Sequence, residues 1–74
     1  MDVRKVFAAN LLRLRKDKGL SQEALAHEVG IDRTYVSALE RGVYSASIDM
    51  VTRLAKVLGV EPSAMLIEKP PRKR

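Results

Sequence analysis

The chain has no cysteine and no tryptophan, three prolines, four glycines and 4% aromatic residues in a length of 74. Without cysteine there is no disulfide and no thiolate metal site, and a reducing, cytoplasmic setting is expected. With so few aromatics any core must be aliphatic. Hydrophobic residues make up 46% of the chain, enough for one small core in one domain. No apolar run approaches the ~18–20 residues of a membrane span, so no membrane partner is expected. The basic N-terminal segment MDVRKVFAANLLRLRKDKG lacks the small-residue cleavage site of a signal peptide. No internal repeat is visible. His27 stands alone, without a second ligand nearby, and reads as a surface residue. No nucleophile–base pairing, metal cluster or phosphate-cradling glycine loop stands out. No enzyme, no cofactor and no metal are therefore expected.

Charge of one sign is scarcer than the net value suggests. The total is +5, but Lys69, Arg72, Lys73 and Arg74 supply four of the 14 basic residues. Residues 1–68 keep 10 basic against 9 acidic residues, close to neutral. Net charge alone therefore does not argue for nucleic acid, and the placement of charge must decide. The expected division is a folded domain over 1–68 and a basic, proline-containing tail over 69–74.

What is present is helical periodicity. Val3, Phe7, Leu11 and Leu14 make a stripe that ends at Gly19. Ser21 caps a second helix, with Leu20 and Leu25 placed as a hydrophobic staple, and Gly30 closes it. Asp32 caps a third, with Ile31 and Val36 as staple and Gly42 as stop. Ser47 caps a fourth, with Ile48, Val51, Leu54, Ala55 and Leu58 inward and Gly59 at its end. A last short turn, counted as the fifth helix, starts near Pro62, with Met65 inward and Leu66 a second candidate. The expected fold is all-α with five helices. Only Gly30-Ile31-Asp32 joins the second helix to the third, which forces a steep crossing: helix-turn-helix geometry.

The third helix is lopsided. Stepping about 100° per residue from Arg33, Val36 and Leu39 fall near roughly 300° and 240°, toward the core. The opposite face holds Thr34, Ser37, Ala38 and Arg41, with Arg33 at its edge. That face carries no carboxylate, because Asp32 serves as the cap. Short side chains in the middle would allow close approach to a surface, and arginines at both ends could reach phosphates or guanine edges. The pattern alone suits a DNA-reading helix and a plain solvated face equally well.

The run GLSQEALAHEVGIDRTYVSALERG resembles the phage-repressor (Cro-like, XRE) family of helix-turn-helix regulators. The likeness covers roughly residues 4–67 and rests on LSQEALA, the Gly30 turn, YVSALERG and LAKVLGV after a serine cap. It departs from the family at Ser45-Ala46-Ser47, where an Asn-Pro-Ser-like cap is usual, which leaves the loop's contacts open. The resemblance implies a compact lambda-repressor-like domain and a sequence-specific DNA-binding transcriptional regulator. It implies that Arg33, Thr34, Tyr35, Ser37 and Ala38 face bases. Ser21, Gln22, Arg41 and Tyr44 would meet the DNA backbone, with Gln22 also bracing the reading helix. Tyr35 suits a half-buried packing role nearly as well, and the plain alternative for Arg41 and Tyr44 is a surface role. Glu40 opposes the dipole of its own helix end. The resemblance pairs it with Arg15, tying the first helix to the third.

A single short reading helix makes few base contacts. A homodimer on a pseudo-palindromic operator, with half-sites about 34 Å apart, would double them. Met50, Val57, Leu66 and Ile67 are the candidate interface residues, although Met50 and Val57 could equally be half-buried under the last helix. No small-molecule effector is expected. Free-standing domains of this kind resemble controller proteins of restriction-modification systems, through DRTYVSALERG, and small phage repressors. The other reading is an antitoxin-like interaction module whose main partner is another protein.

Overall fold

A computed structural model describes residues 2–68. The basic tail expected at 69–74 lies outside the described residues. Four α-helices follow one another: α1 (Val3–Asp17), α2 (Gln22–Val29), α3 (Arg33–Glu40) and α4 (Ile48–Leu58). A single 3-10 turn, Pro62–Met65, stands where a fifth helix was expected. Pro62 opens that turn, and its tight i→i+3 bonding runs for four residues only. No strand occurs among the described residues, and no helix there is long and apolar enough to cross a membrane.

Local chemistry accounts for each helix boundary. Ser21 Oγ accepts from the Ala24 N–H at 2.9 Å, and Ser47 Oγ from the Met50 N–H at 3.0 Å. Asp32 Oδ1 accepts from the Thr34 N–H at 3.0 Å. Each such cap contributes on the order of 1 kcal/mol. At the other end of α2, Gly30 adopts φ +87° and donates to the Ala26 carbonyl at 2.8 Å. Only glycine takes that left-handed conformation without strain. It reverses the chain at the end of α2, and only Gly30, Ile31 and Asp32 separate α2 from α3.

The core is aliphatic. Leu11, Leu25, Val36, Leu39, Leu54, Ala55 and Met65 have no exposed surface, and Phe7 is its one fully enclosed ring. Three placements depart from expectation. Val3 is 55% exposed and Ile48 is 85% exposed, whereas Met50 lies in the core. Val3 and Ile48 are the first residues of their helices. On α4 the buried arc centres on Leu54 and Leu58 and is wide enough to take in Met50, while Ile48 falls at its opposite edge. Leu66 is also exposed, at 41%.

One buried polar residue ties the 3-10 turn and the residues just after it to α1. Asn10 sits on the Phe7–Leu11–Leu14 stripe and is 2% exposed. Its Nδ2 donates to the Met65 and Ile67 carbonyls at 2.9 and 3.0 Å, and its Oδ1 accepts from Arg13 at 3.0 Å. Every polar atom of the amide is thus satisfied, as burial requires.

Candidate nucleic-acid interface

The surface around α3 begins with its N-terminal turn. Arg33 and Thr34 are exposed there, directly after the Asp32 cap. Arg33 makes no hydrogen bond or ion pair among the described residues. The Thr34 hydroxyl donates to Asp32 Oδ1 at 3.0 Å. The backbone N–H of Thr34, then its hydroxyl and the nearby Arg33 charge, hold the Asp32 carboxyl below its ordinary value. Tyr35 is half-buried against the core, and Ser37 is half-buried as well. Beyond the helix, Arg41 is exposed, and so is Tyr44, at 56%. The Tyr44 ring lies 6.4 Å from that of Tyr35 at 52°, a tilted aromatic contact that holds the loop after α3 against the helix.

Ala38 requires a correction. It is 5% exposed, not part of the open face. Both α1 and α2 pack on α3, so the buried arc of α3 is wider than the Val36–Leu39 pair indicated. Ala38 can let a neighbour approach but has little surface of its own to offer. The open face therefore consists of Arg33, Thr34 and Arg41, with the exposed parts of Tyr35 and Ser37.

Glu40, the last residue of α3, points inward. Arg15 Nε donates to its Oε2 at 2.6 Å and Arg15 Nη2 to its Oε1 at 3.2 Å. The side chains are 10% and 5% exposed. Arg15 Nη1 also donates to the Leu20 carbonyl at 2.7 Å. Gln22 Nε2 donates to Glu40 Oε1 at 3.0 Å. One carboxylate thus gathers α1, α2 and the end of α3. Ion-pair geometry of this kind fixes orientation more than it adds stability. An ionised carboxylate only accepts, so the amide nitrogen of Gln22 must face it. Among the described residues, that leaves the Gln22 oxygen and its second N–H free.

Ser21 is exposed, but its oxygen already serves as the α2 cap. On the other side of the turn, Arg53 of α4 donates to the Val29 carbonyl at 2.7 Å. This contact supports the end of α2 where the chain reverses, and sequence patterning did not single it out. Nor did it single out Asn10, although an asparagine on an apolar stripe was a readable signal.

The four residues considered for a dimer patch divide. Met50 is a core residue and cannot present a surface, and Val57 is half-buried against the core. Leu66 and Ile67 are exposed, at 41% and 59%. Leu66 borders a cleft of about 240 Å³ together with Val3, Phe7, Ala46 and Val51.

A family model described as Helix-turn-helix matches residues 11–65. The chain is 42% identical over 73 residues to a Neisseria meningitidis protein described as a hypothetical transcription factor, covering 99% of this chain and 67% of that one. The solved restriction-modification controller protein C.AhdI from Aeromonas hydrophila superposes with a TM-score of 0.80 at 42% identity, over 84% of this chain and 94% of that one. The biofilm regulator SinR, solved in complex with DNA, superposes with a TM-score of 0.79 at 29% identity, over 82% of this chain and 98% of that one.

Proposed function

From the premise that the chain belongs to the Helix-turn-helix family, we propose that it is a sequence-specific transcriptional regulator that sets α3 in the major groove of DNA. One observation carries this reading. The carboxylate at the end of α3, Glu40, is turned inward and neutralised by Arg15. The side chains of α3 itself that face a partner are therefore cationic or neutral, with Arg33 in the first turn making no ion pair among the described residues, and the exposed Asp32 cap is the one carboxylate beside them. In a protein whose folded part is nearly uncharged overall, that placement is what a phosphate-lined groove requires.

The parts divide by task. Arg33, Thr34, Tyr35 and Ser37 meet base edges. Gln22, Arg41 and Tyr44 meet the backbone, with the exposed N-terminal end of α2 at Ser21 favouring a phosphate. Gln22 has a second task, because its bond to Glu40 locks α2 against α3. Two copies bind a pseudo-palindromic operator. Leu66, Ile67 and the outer edge of Val57 are the contact, and the apolar cleft beside Leu66 supports it. The likeness to a restriction-modification controller supports a role in control of transcription rather than in catalysis.

The deciding experiment is selection of bound duplexes from a random pool, followed by binding to the enriched site over a salt series. Enrichment of a two-fold site and a steep fall of affinity with salt are expected. No enrichment refutes the proposal. Salt-insensitive binding favours the interaction-module reading instead.

A further inference from the structure

The Asp32–Thr34 contact bears on which base pair the helix accepts. A threonine hydroxyl has one hydrogen to donate and two lone pairs to accept with. Thr34 Oγ1 lies 3.0 Å from Asp32 Oδ1, and the same oxygen takes the Thr34 backbone N–H at 3.0 Å. An ionised carboxylate cannot donate, so the hydroxyl hydrogen must point at Asp32. Thr34 is exposed in the first turn of α3, so its remaining valences face outward. Those are an acceptor oxygen and a methyl group. Threonine is ordinarily ambiguous toward bases, because its hydroxyl can either donate or accept. Here the cap of its own helix removes the ambiguity.

We propose that Thr34 meets the groove as an acceptor and a methyl group, and so selects an A·T pair and rejects guanine at one position of the site. This rests on the DNA-reading role proposed above. The match follows from the base edges. An A·T pair shows the adenine N6 amino donor and the thymine methyl in the major groove, and Thr34 can use both. The guanine edge shows only the N7 and O6 acceptors, which would face an acceptor oxygen with no hydrogen between them. Cytosine offers an amino donor but no methyl, and ranks between the two. Arg33, one residue earlier, has the opposite character, since it only donates. Neighbouring side chains of opposite polarity thus read neighbouring positions by opposite rules.

The test uses the full chain and the enriched site, with all four bases placed in turn at each position. Thr34→Ala identifies the position that Thr34 governs, as the one where preference flattens. At that position the wild type should favour A·T over guanine by about ten-fold or more. Asp32→Gly frees the hydroxyl hydrogen while retaining an acceptable cap residue. It should raise affinity for all sites by removing a negative charge, and should shrink the discrimination against guanine several-fold at that position alone. Thr34→Val loses the acceptor oxygen but keeps the methyl contact, so it should retain part of the A·T preference with weaker discrimination against guanine than the wild type, which keeps the test decisive if the Asp32 variant folds poorly. Melting curves report folding of each variant. A wild type that enriches nothing overturns the regulator reading and this inference with it. An enriched site with guanine at the Thr34 position overturns the inference alone. So does a Thr34→Ala variant that flattens no position, an Asp32→Gly variant that folds yet rejects guanine unchanged, or a Thr34→Val variant that prefers guanine.

Discussion

Replacing Glu40 by alanine removes the acceptor for three hydrogen bonds at once, from Arg15 Nε, Arg15 Nη2 and Gln22 Nε2. It leaves Arg15, whose side chain is only 10% exposed in the intact protein, with the Leu20 carbonyl as its remaining partner among the described residues. Removing one partner of a buried pair costs about 3–5 kcal/mol, because the remaining charge is neither solvated nor neutralised. A chain of this length has roughly 4–11 kcal/mol of total stability. The variant should therefore lose a large part of it, with the melting temperature falling on the order of 10–30 °C. Replacing both partners tests the cause. Arg15→Met with Glu40→Met has no buried charge, and should recover most of the loss. The Leu20 carbonyl remains without its donor, so recovery should stop about 1 kcal/mol short. Urea denaturation of the wild type, Arg15→Met, Glu40→Met and the double variant supplies the cycle, with Glu40→Ala measured beside it. A single-variant loss under about 1 kcal/mol would mean the pair behaves as an exposed one, and the orientation argument would fall. DNA binding gives a second reading. Even with stability restored, the double variant lacks the anchor for Gln22 and should bind the enriched site more weakly.

Three further outcomes are expected. Arg33→Ala should cost about 1–3 kcal/mol on the preferred site and relax one position of it, whereas Gln22→Ala should weaken all sequences alike; titrations on single-base variants separate the two. Asn10→Ala leaves the Met65 and Ile67 carbonyls without their donor, and should lower stability by about 1–3 kcal/mol. Amide exchange of the Pro62–Met65 turn should rise more than that of α2, and an equal rise in both would refute the idea that Asn10 holds the turn on α1. The Asp32 carboxyl titrates below its ordinary 3.8, chiefly through the Thr34 N–H, so its stabilising effect is complete above that value and disappears as pH falls through the lower folded one. In an NMR titration Thr34→Ala should move the Asp32 midpoint upward, and an unchanged midpoint would show that the hydroxyl does not reach the carboxylate.

Much of this molecule was legible from short-range pattern. Ser21, Asp32 and Ser47 mark helix starts because a side-chain oxygen next to free N–H groups acts within three residues. Gly30 and Gly59 mark helix ends because a left-handed residue is a local property. These interactions close within one turn, so the order of residues determines them without reference to the rest of the fold. The turn between α2 and α3, and the exposed pair Arg33 and Thr34 that follows, belong to this class. The width of each buried face did not. Ala38 and Met50 lie inside, and Val3 and Ile48 outside, because burial depends on how many neighbours pack against a helix and how far they extend. A helical wheel locates the middle of a face but not its edges. The partners of Asn10, Arg53 and Gln22 are likewise 55, 24 and 18 residues away in the chain. A polar side chain on an apolar stripe announces that some partner must exist, since an unsatisfied buried amide is costly. Which carbonyl or carboxylate satisfies it is decided only when the helices are brought together, because the distances between them are set by packing of the whole core.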